Sequence, residues 1–140
     1  MKKILLMALF FISVPIVLMG CQTDDSDADD SDADDIVKVS VSESREIGKI
    51  NTDFFGVYED EETVDMFEEL FEDAVKQDGI VDIVDPEYDI EAELANGSKK
   101  QLHLWVGEAG QRSTLMYVED TNTIYRTSAE HTDWLIGLLK

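Results

Sequence analysis

The chain is expected to fold as α+β: an antiparallel sheet packed by one long helix, with a short helix at the C-terminus. Three observations carry this expectation. Apolar and polar residues alternate over residues 88–94 and again over 102–106, on either side of an Asn96-Gly97 turn, and period-two alternation marks half-buried strands. Over residues 60–76 the apolar residues instead recur every three or four positions, the spacing of a helix with one buried face. The order is strands, a long helix, a meander of about four strands and a final helix, which reads as helices segregated to one face of an antiparallel sheet.

Residues 36–41 alternate Ile36, Lys38 and Ser40 against Val37, Val39 and Val41, a half-buried N-terminal strand. A second extended piece is expected over 53–58. Asp60 then supplies a helix N-cap, and Glu61 and Glu62 suit the first turn, where carboxylates face the positive end of the helix dipole. Val64, Phe67, Leu70, Phe71, Ala74 and Val75 form the buried stripe, while Glu68, Glu69, Glu72 and Asp73 cover the other side. Lys76 is placed in the last turn and Gly79 at the C-cap.

The central hairpin is set by its register. Tyr88, Ile90, Ala92 and Leu94 share one face, as do Leu102, Leu104 and Val106. A two-residue Asn96-Gly97 loop would oppose Glu91 to Leu102 and mix the faces. A three-residue loop, Asn96-Gly97-Ser98 with Gly97 left-handed, pairs Ala92 with Leu102, Ile90 with Leu104 and Tyr88 with Val106, and is the expected one. It puts Glu91 opposite His103 and Asp89 opposite Trp105 on the second face. Residues 113–118 and 121–127 read as two more strands. Their register stays open because Leu115, Met116, Tyr117 and Val118 are all apolar. Thr127-Ser128-Ala129-Glu130 fits a capping box, and Trp134, Leu135, Leu138 and Leu139 mark the short final helix, with His131 at its surface.

Before the folded part come two segments of different character. Lys2 and Lys3 precede an apolar stretch over residues 4–17, broken only by Ser13 and Pro15, and the stretch closes on Leu18-Met19-Gly20-Cys21. This resembles the signal peptide and lipobox of bacterial lipoproteins. The resemblance implies a diacylglycerol on the Cys21 thiol, cleavage before Cys21, and residence on the extracytoplasmic face of the cell membrane. Two acyl chains hold a protein to a bilayer stably where one does not. Cys21 is the single cysteine, so once lipidated it leaves the domain no disulfide, thiolate nucleophile or thiolate metal ligand. Residues 22–35 carry eight aspartates and no large apolar residue. Such a segment cannot bury enough surface to offset its ordering entropy, and its fourteen residues reach about 45–50 Å when extended. It reads as a disordered acidic tether. Asp27, Asp29, Asp32 and Asp34 offer oxygen ligands, but the glycine and the distal glutamate of a calcium loop are missing. The organisation is therefore 1–20 signal peptide, 21–35 lipidated cysteine and linker, and 36–140 one domain.

Charge narrows the partners. The whole chain has 11 basic and 32 acidic residues. Without Lys2, Lys3 and the eight linker aspartates, 9 basic and 24 acidic residues remain, a net charge of −15 for residues 36–140. Nucleic acid and anionic lipid surfaces are poor partners for such a domain. The partners left are the membrane, through the anchor on Cys21, and a protein or cell-wall component.

A second resemblance runs through the domain. Gly79-Ile80-Val81-Asp82, Asp85-Pro86-Glu87-Tyr88, Leu104-Trp105-Val106, Leu115-Met116 and Asp120-Thr121-Asn122-Thr123-Ile124-Tyr125 are similar to the YhfM-like domain of Bacillus-type lipoproteins over roughly residues 47–139. The resemblance implies a Gram-positive surface lipoprotein and contributes no catalytic residue.

Glu91, His103 and Trp105 form the best local candidate for a binding surface. A histidine facing a carboxylate suits a general base or a metal ligand with a supporting acid, but a cross-strand polar pair is also ordinary sheet stabilisation. No Gly-x-Ser-x-Gly, Ser-x-x-Lys, phosphate loop or His-Glu-x-x-His occurs, and no cofactor is implied. The expectation is a membrane-anchored, non-enzymatic binding domain. The alternative is a metal-binding or metal-dependent surface protein using His103 and nearby carboxylates.

Overall fold

The structure, a computed structural model, describes residues 34–79 and 82–140. The residues read as a signal peptide, Cys21 with its expected lipidation, and nearly all of the acidic linker lie outside the described residues. The rest forms one seven-stranded antiparallel sheet and two helices. The strands are β1 (Ile36–Glu43), β2 (Gly56–Tyr58), β3 (Val75–Gln77), β4 (Tyr88–Leu94), β5 (Lys99–Trp105), β6 (Thr114–Tyr117) and β7 (Ile124–Arg126). Helix α1 (Glu61–Glu72) lies between β2 and β3, and α2 (Ala129–Leu139) ends the chain. The sheet order is β2-β1-β4-β5-β6-β7-β3. The chain thus leaves one edge of the sheet at Tyr58 and joins the other at Val75, and α1 carries it across.

One face of the sheet and both helices make the core. Val64, Phe67 and Leu70 of α1 and Leu135 of α2 pack with Val39, Val41, Ile90, Ala92, Leu102, Leu104 and Leu115. Phe67 joins the two helices: its ring meets Trp134 edge-on at 5.0 Å between centroids, and Phe71 and Tyr58 at 6.0 and 6.2 Å. Asp60 caps α1 by accepting the Thr63 N–H at 3.0 Å.

Several expectations are corrected. The helix stops at Glu72, with Asp73 as C-cap, instead of running to Lys76 with Gly79 as its cap. Val75, Lys76 and Gln77 instead pair with Arg126, Tyr125 and Ile124 and become the edge strand β3. Three turns of α1 already satisfy the apolar stripe, and backbone pairing to β7 claims the residues after it. In β1 the pairing jumps from Ile36 with Leu94 to Lys38 with Glu93. Val37 is the extra residue of this bulge and stands 46 % exposed, which lets Ile36 join Val39 and Val41 on the core face.

The β4–β5 loop does have three residues, but they are Ala95, Asn96 and Gly97. Leu94 N–H bonds Ser98 O at 2.9 Å, Gly97 N–H bonds Leu94 O at 2.8 Å, and Gly97 has φ +85°. Starting one residue earlier slides the register by two, so Ile90 faces Leu102 and Tyr88 faces Leu104. A slip of two keeps every side chain on its face, so the apolar pattern is equally satisfied. Finally, Ser128, not Thr127, caps α2. At eleven residues α2 nearly matches the twelve of α1, and His131 is buried rather than at its surface.

Candidate functional site

The face of the sheet opposite the helices carries the polar residues, and its centre is closed. The two-residue register shift puts Asp89, not Glu91, opposite His103, and Gln101 opposite Glu91. Asp89 and His103 are both fully buried, with His103 Nδ1 2.7 Å from Asp89 Oδ1. The segment joining β1 to β2 lies over them. Gly48 N–H donates to His103 Nε2 at 2.8 Å, and Asn51 N–H donates to Asp89 Oδ2 at 2.8 Å.

These contacts fix the protons. A backbone N–H is always a donor, so Nε2 must be unprotonated, and Nδ1 carries the hydrogen that Asp89 accepts. The result is one chain of hydrogen bonds from Gly48 through His103 and Asp89 to Asn51. Each buried polar atom in it has a partner, the condition for such a cluster to stabilise rather than cost. Ser42 Oγ adds a bond to Asn51 O, and Asn51 Nδ2 bonds Glu43 O at 2.8 Å.

Glu91 belongs to a separate group. Its carboxylate accepts from Lys99 Nζ at 2.7 Å and Gln101 Nε2 at 2.8 Å. Burial pushes its carboxyl up, but those bonds and the charges of Lys99 and Lys38 outweigh burial and hold it below the usual carboxylate range. Lys38 and Glu93 pair beside it at 2.6 Å.

Trp105 is the member of the expected trio that keeps an open side. It is half-buried, its ring lies edge-on to His103 at 6.3 Å, and its Nε1–H donates to Val84 O at 2.8 Å. Trp105 pairs across β6 with Thr114, and Thr114 across β7 with Arg126. This row lines a cleft of about 180 Å³ together with Asp82, Ile83, Val84 and Ile124. Val84 is 76 % exposed. Glu91, His103 and Trp105 are therefore not one site: a charge lattice, a buried pair and a cleft wall share a face.

Among the described residues no three His, Cys, Asp or Glu side chains are placed to hold a metal ion. A second histidine pair is a helix cap: Ser128 Oγ accepts the His131 N–H at 3.1 Å and lies 3.0 Å from His131 Nδ1. A nucleophile also needs donors for a developing oxyanion, and Ser128 is committed to the helix end. Ser113 and Thr132 share a buried hydroxyl contact at 2.7 Å, with Ser113 donating to Val106 O.

The family model described as YhfM protein matches residues 32–140. The chain belongs to the YhfM family. No curated protein sequence matches it. A thioesterase-like protein from Clostridium sporogenes ATCC 15579, a solved crystal structure, is similar in fold, with a TM-score of 0.60 at 20 % identity over 74 % of this chain and 94 % of that one. At that identity the likeness extends to the fold alone, a mixed sheet-and-helix domain. The YhfM match takes in β1 to α2 and hence the buried Asp89–His103 pair and the Trp105 cleft.

Gly48, Asn51 and Arg126 were not foreseen as site residues. Gly48 and Asn51 act through backbone amides, which leave no mark in the residue type. Arg126 is a single cation at a strand end, and only the pairing with Thr114 and Val75 brings it beside Trp105.

Proposed function

We propose that this member of the YhfM family is a lipid-anchored extracytoplasmic protein whose domain binds a ligand and carries out no reaction on it. The observation that favours binding over catalysis is the state of His103. A general base needs a free nitrogen within reach of the proton it takes. Here Nδ1 is engaged by Asp89 and Nε2 by the Gly48 amide. The same engagement leaves a metal no nitrogen to coordinate, so the metal-dependent alternative draws no support from the geometry. The binding surface of this reading is the Trp105 cleft: an aromatic wall and exposed apolar side chains around a few polar groups make up the usual composition of a small-ligand site.

The anchoring part of the reading is supported by the Leu18-Met19-Gly20-Cys21 sequence and by the acidic composition of residues 22–35. A stretched tether of that length lifts the cleft several nanometres from the bilayer. Cells fed radiolabelled palmitate should label the wild-type protein and not Cys21→Ala, and protease added to intact wall-stripped cells should digest the domain. Equal labelling of both forms, or a domain shielded from protease, refutes the location.

A further inference from the structure

Arg126 stands out among the cations of this acidic domain. Lys38, Arg45, Lys49, Lys99 and Lys140 each have a carboxylate within 4.0 Å. Arg126, like Lys76, Lys100 and Arg112, has none among the described residues, but it alone of these cations has a buried side-chain nitrogen without a partner. Its one side-chain hydrogen bond is a long one, Nη2 to Arg112 O at 3.4 Å, and its Nε is buried without an acceptor. The Nε is enclosed by protein atoms, so the donors a ligand in the cleft can meet are those of the two terminal nitrogens, whose one bond is the long contact to Arg112 O.

We propose that the cleft of Ile83, Val84, Trp105, Thr114, Ile124 and Arg126 binds a small monocarboxylate bearing a compact apolar group. This rests on the reading of the domain as a binding module and names its ligand class. The guanidinium fork matches a planar carboxylate and supplies charge-assisted bonds. Trp105 has committed its indole N–H to Val84 O, so its ring offers apolar surface rather than a donor. The cleft of about 180 Å³ has the volume of about six water molecules at roughly 30 Å³ each, enough for a branched aliphatic chain of four or five carbons. Asp82 in the lining and the acid excess of the domain weigh more heavily against a doubly charged anion than a singly charged one, which favours a monocarboxylate over a phosphate dianion.

The test uses the full-length protein in zwitterionic nanodiscs and follows the two tryptophan indole N–H resonances. Isovalerate should move the Trp105 signal saturably in the low-millimolar range and leave that of Trp134, in the core, in place. Acetate, isoamyl alcohol and isoamylamine should each bind at least about tenfold more weakly, since each lacks either the apolar group or the charge. Arg126→Gln should weaken isovalerate at least about tenfold, and Arg126→Lys should fall between. Val84→Asp places a like charge at an exposed position and should abolish binding in a folded protein, which keeps the test open if Arg126→Gln fails to fold. Equal binding of acid, alcohol and amine overturns the proposal, as does isovalerate affinity unchanged in Val84→Asp. Palmitate labelling of Cys21 is scored separately, so the anchor and the ligand class can each fail alone.

Discussion

Asp89→Asn is nearly isosteric, yet it should release the segment that covers the centre of the sheet. The wild-type carboxylate accepts from both His103 Nδ1 and Asn51 N–H. An amide has one oxygen. If that oxygen stays with Asn51, the NH2 faces Nδ1 and drives the ring proton to Nε2, where it meets the Gly48 N–H donor to donor. If the oxygen stays with His103, the NH2 faces the Asn51 N–H. Either way one loop amide loses its acceptor. A hydrogen bond to a charged group is worth about 1.5–3 kcal/mol and an unsatisfied buried group costs about 1–3 kcal/mol. Partial relaxation brings the sum to about 3 kcal/mol, within the stability of about 5–15 kcal/mol of an ordinary domain. Amide hydrogen exchange reads it directly: at 1.4 kcal/mol per decade, protection of Gly48 and Asn51 should fall about 100-fold. Glu91→Gln, two residues along the same strand and on the same face, removes a carboxylate that does not touch the loop and should leave both amides protected. Unchanged protection of Gly48 in Asp89→Asn, or an equal loss in Glu91→Gln, refutes the reasoning.

The Glu91 carboxyl is held below its unfolded value, so its contribution is complete above the unfolded pKa of about 4.3 and is lost as pH falls through the lower folded value. Urea midpoints taken from about pH 6 to about pH 3 should therefore drop more steeply in the wild type than in Glu91→Gln; parallel curves would contradict this. Ser128→Ala removes the acceptor for the His131 N–H at the start of α2 and should lower unfolding free energy by about 1 kcal/mol, with an unchanged midpoint excluding a capping role. Gly97→Ala adds a methyl that meets nothing within 4 Å but must adopt φ +85°, so a loss of about 1–2 kcal/mol should come from backbone strain alone, and Gly97→Asn should lose less.

Which residues face the core was legible because burial imposes a period on the chain. Val64, Phe67 and Leu70 marked α1, and Ile90, Ala92, Leu102 and Leu104 marked the two central strands, each on the expected face. How far one strand slides along another was not legible. Register slipped by two residues while every face stayed correct, and that slip exchanged the partner of His103. The same limit explains β3: Val75 fits a helical stripe and a strand equally well until β7 is present to pair with it. The bulge at Val37 is likewise a property of the pair β1 and β4, since Lys38 rather than Val37 takes up the pairing with Glu93.

His103 and Trp105 drew notice in the sequence as a histidine and an aromatic among alternating carboxylates. That one is sealed and the other open depends on parts of the chain far from both. Gly48 closes over His103 from 55 residues away, and Val84 meets the indole of Trp105 from 21 residues away. Composition and local order by themselves determined the α+β class, the acidic surface and the inward-facing residues of α1 and the central hairpin, because each depends on residue type at short spacing. Strand register, the end of α1, the sealed histidine and the Arg126 cleft were decided only by tertiary structure, because backbone amides and long-range pairing leave no trace in the identity of a single residue.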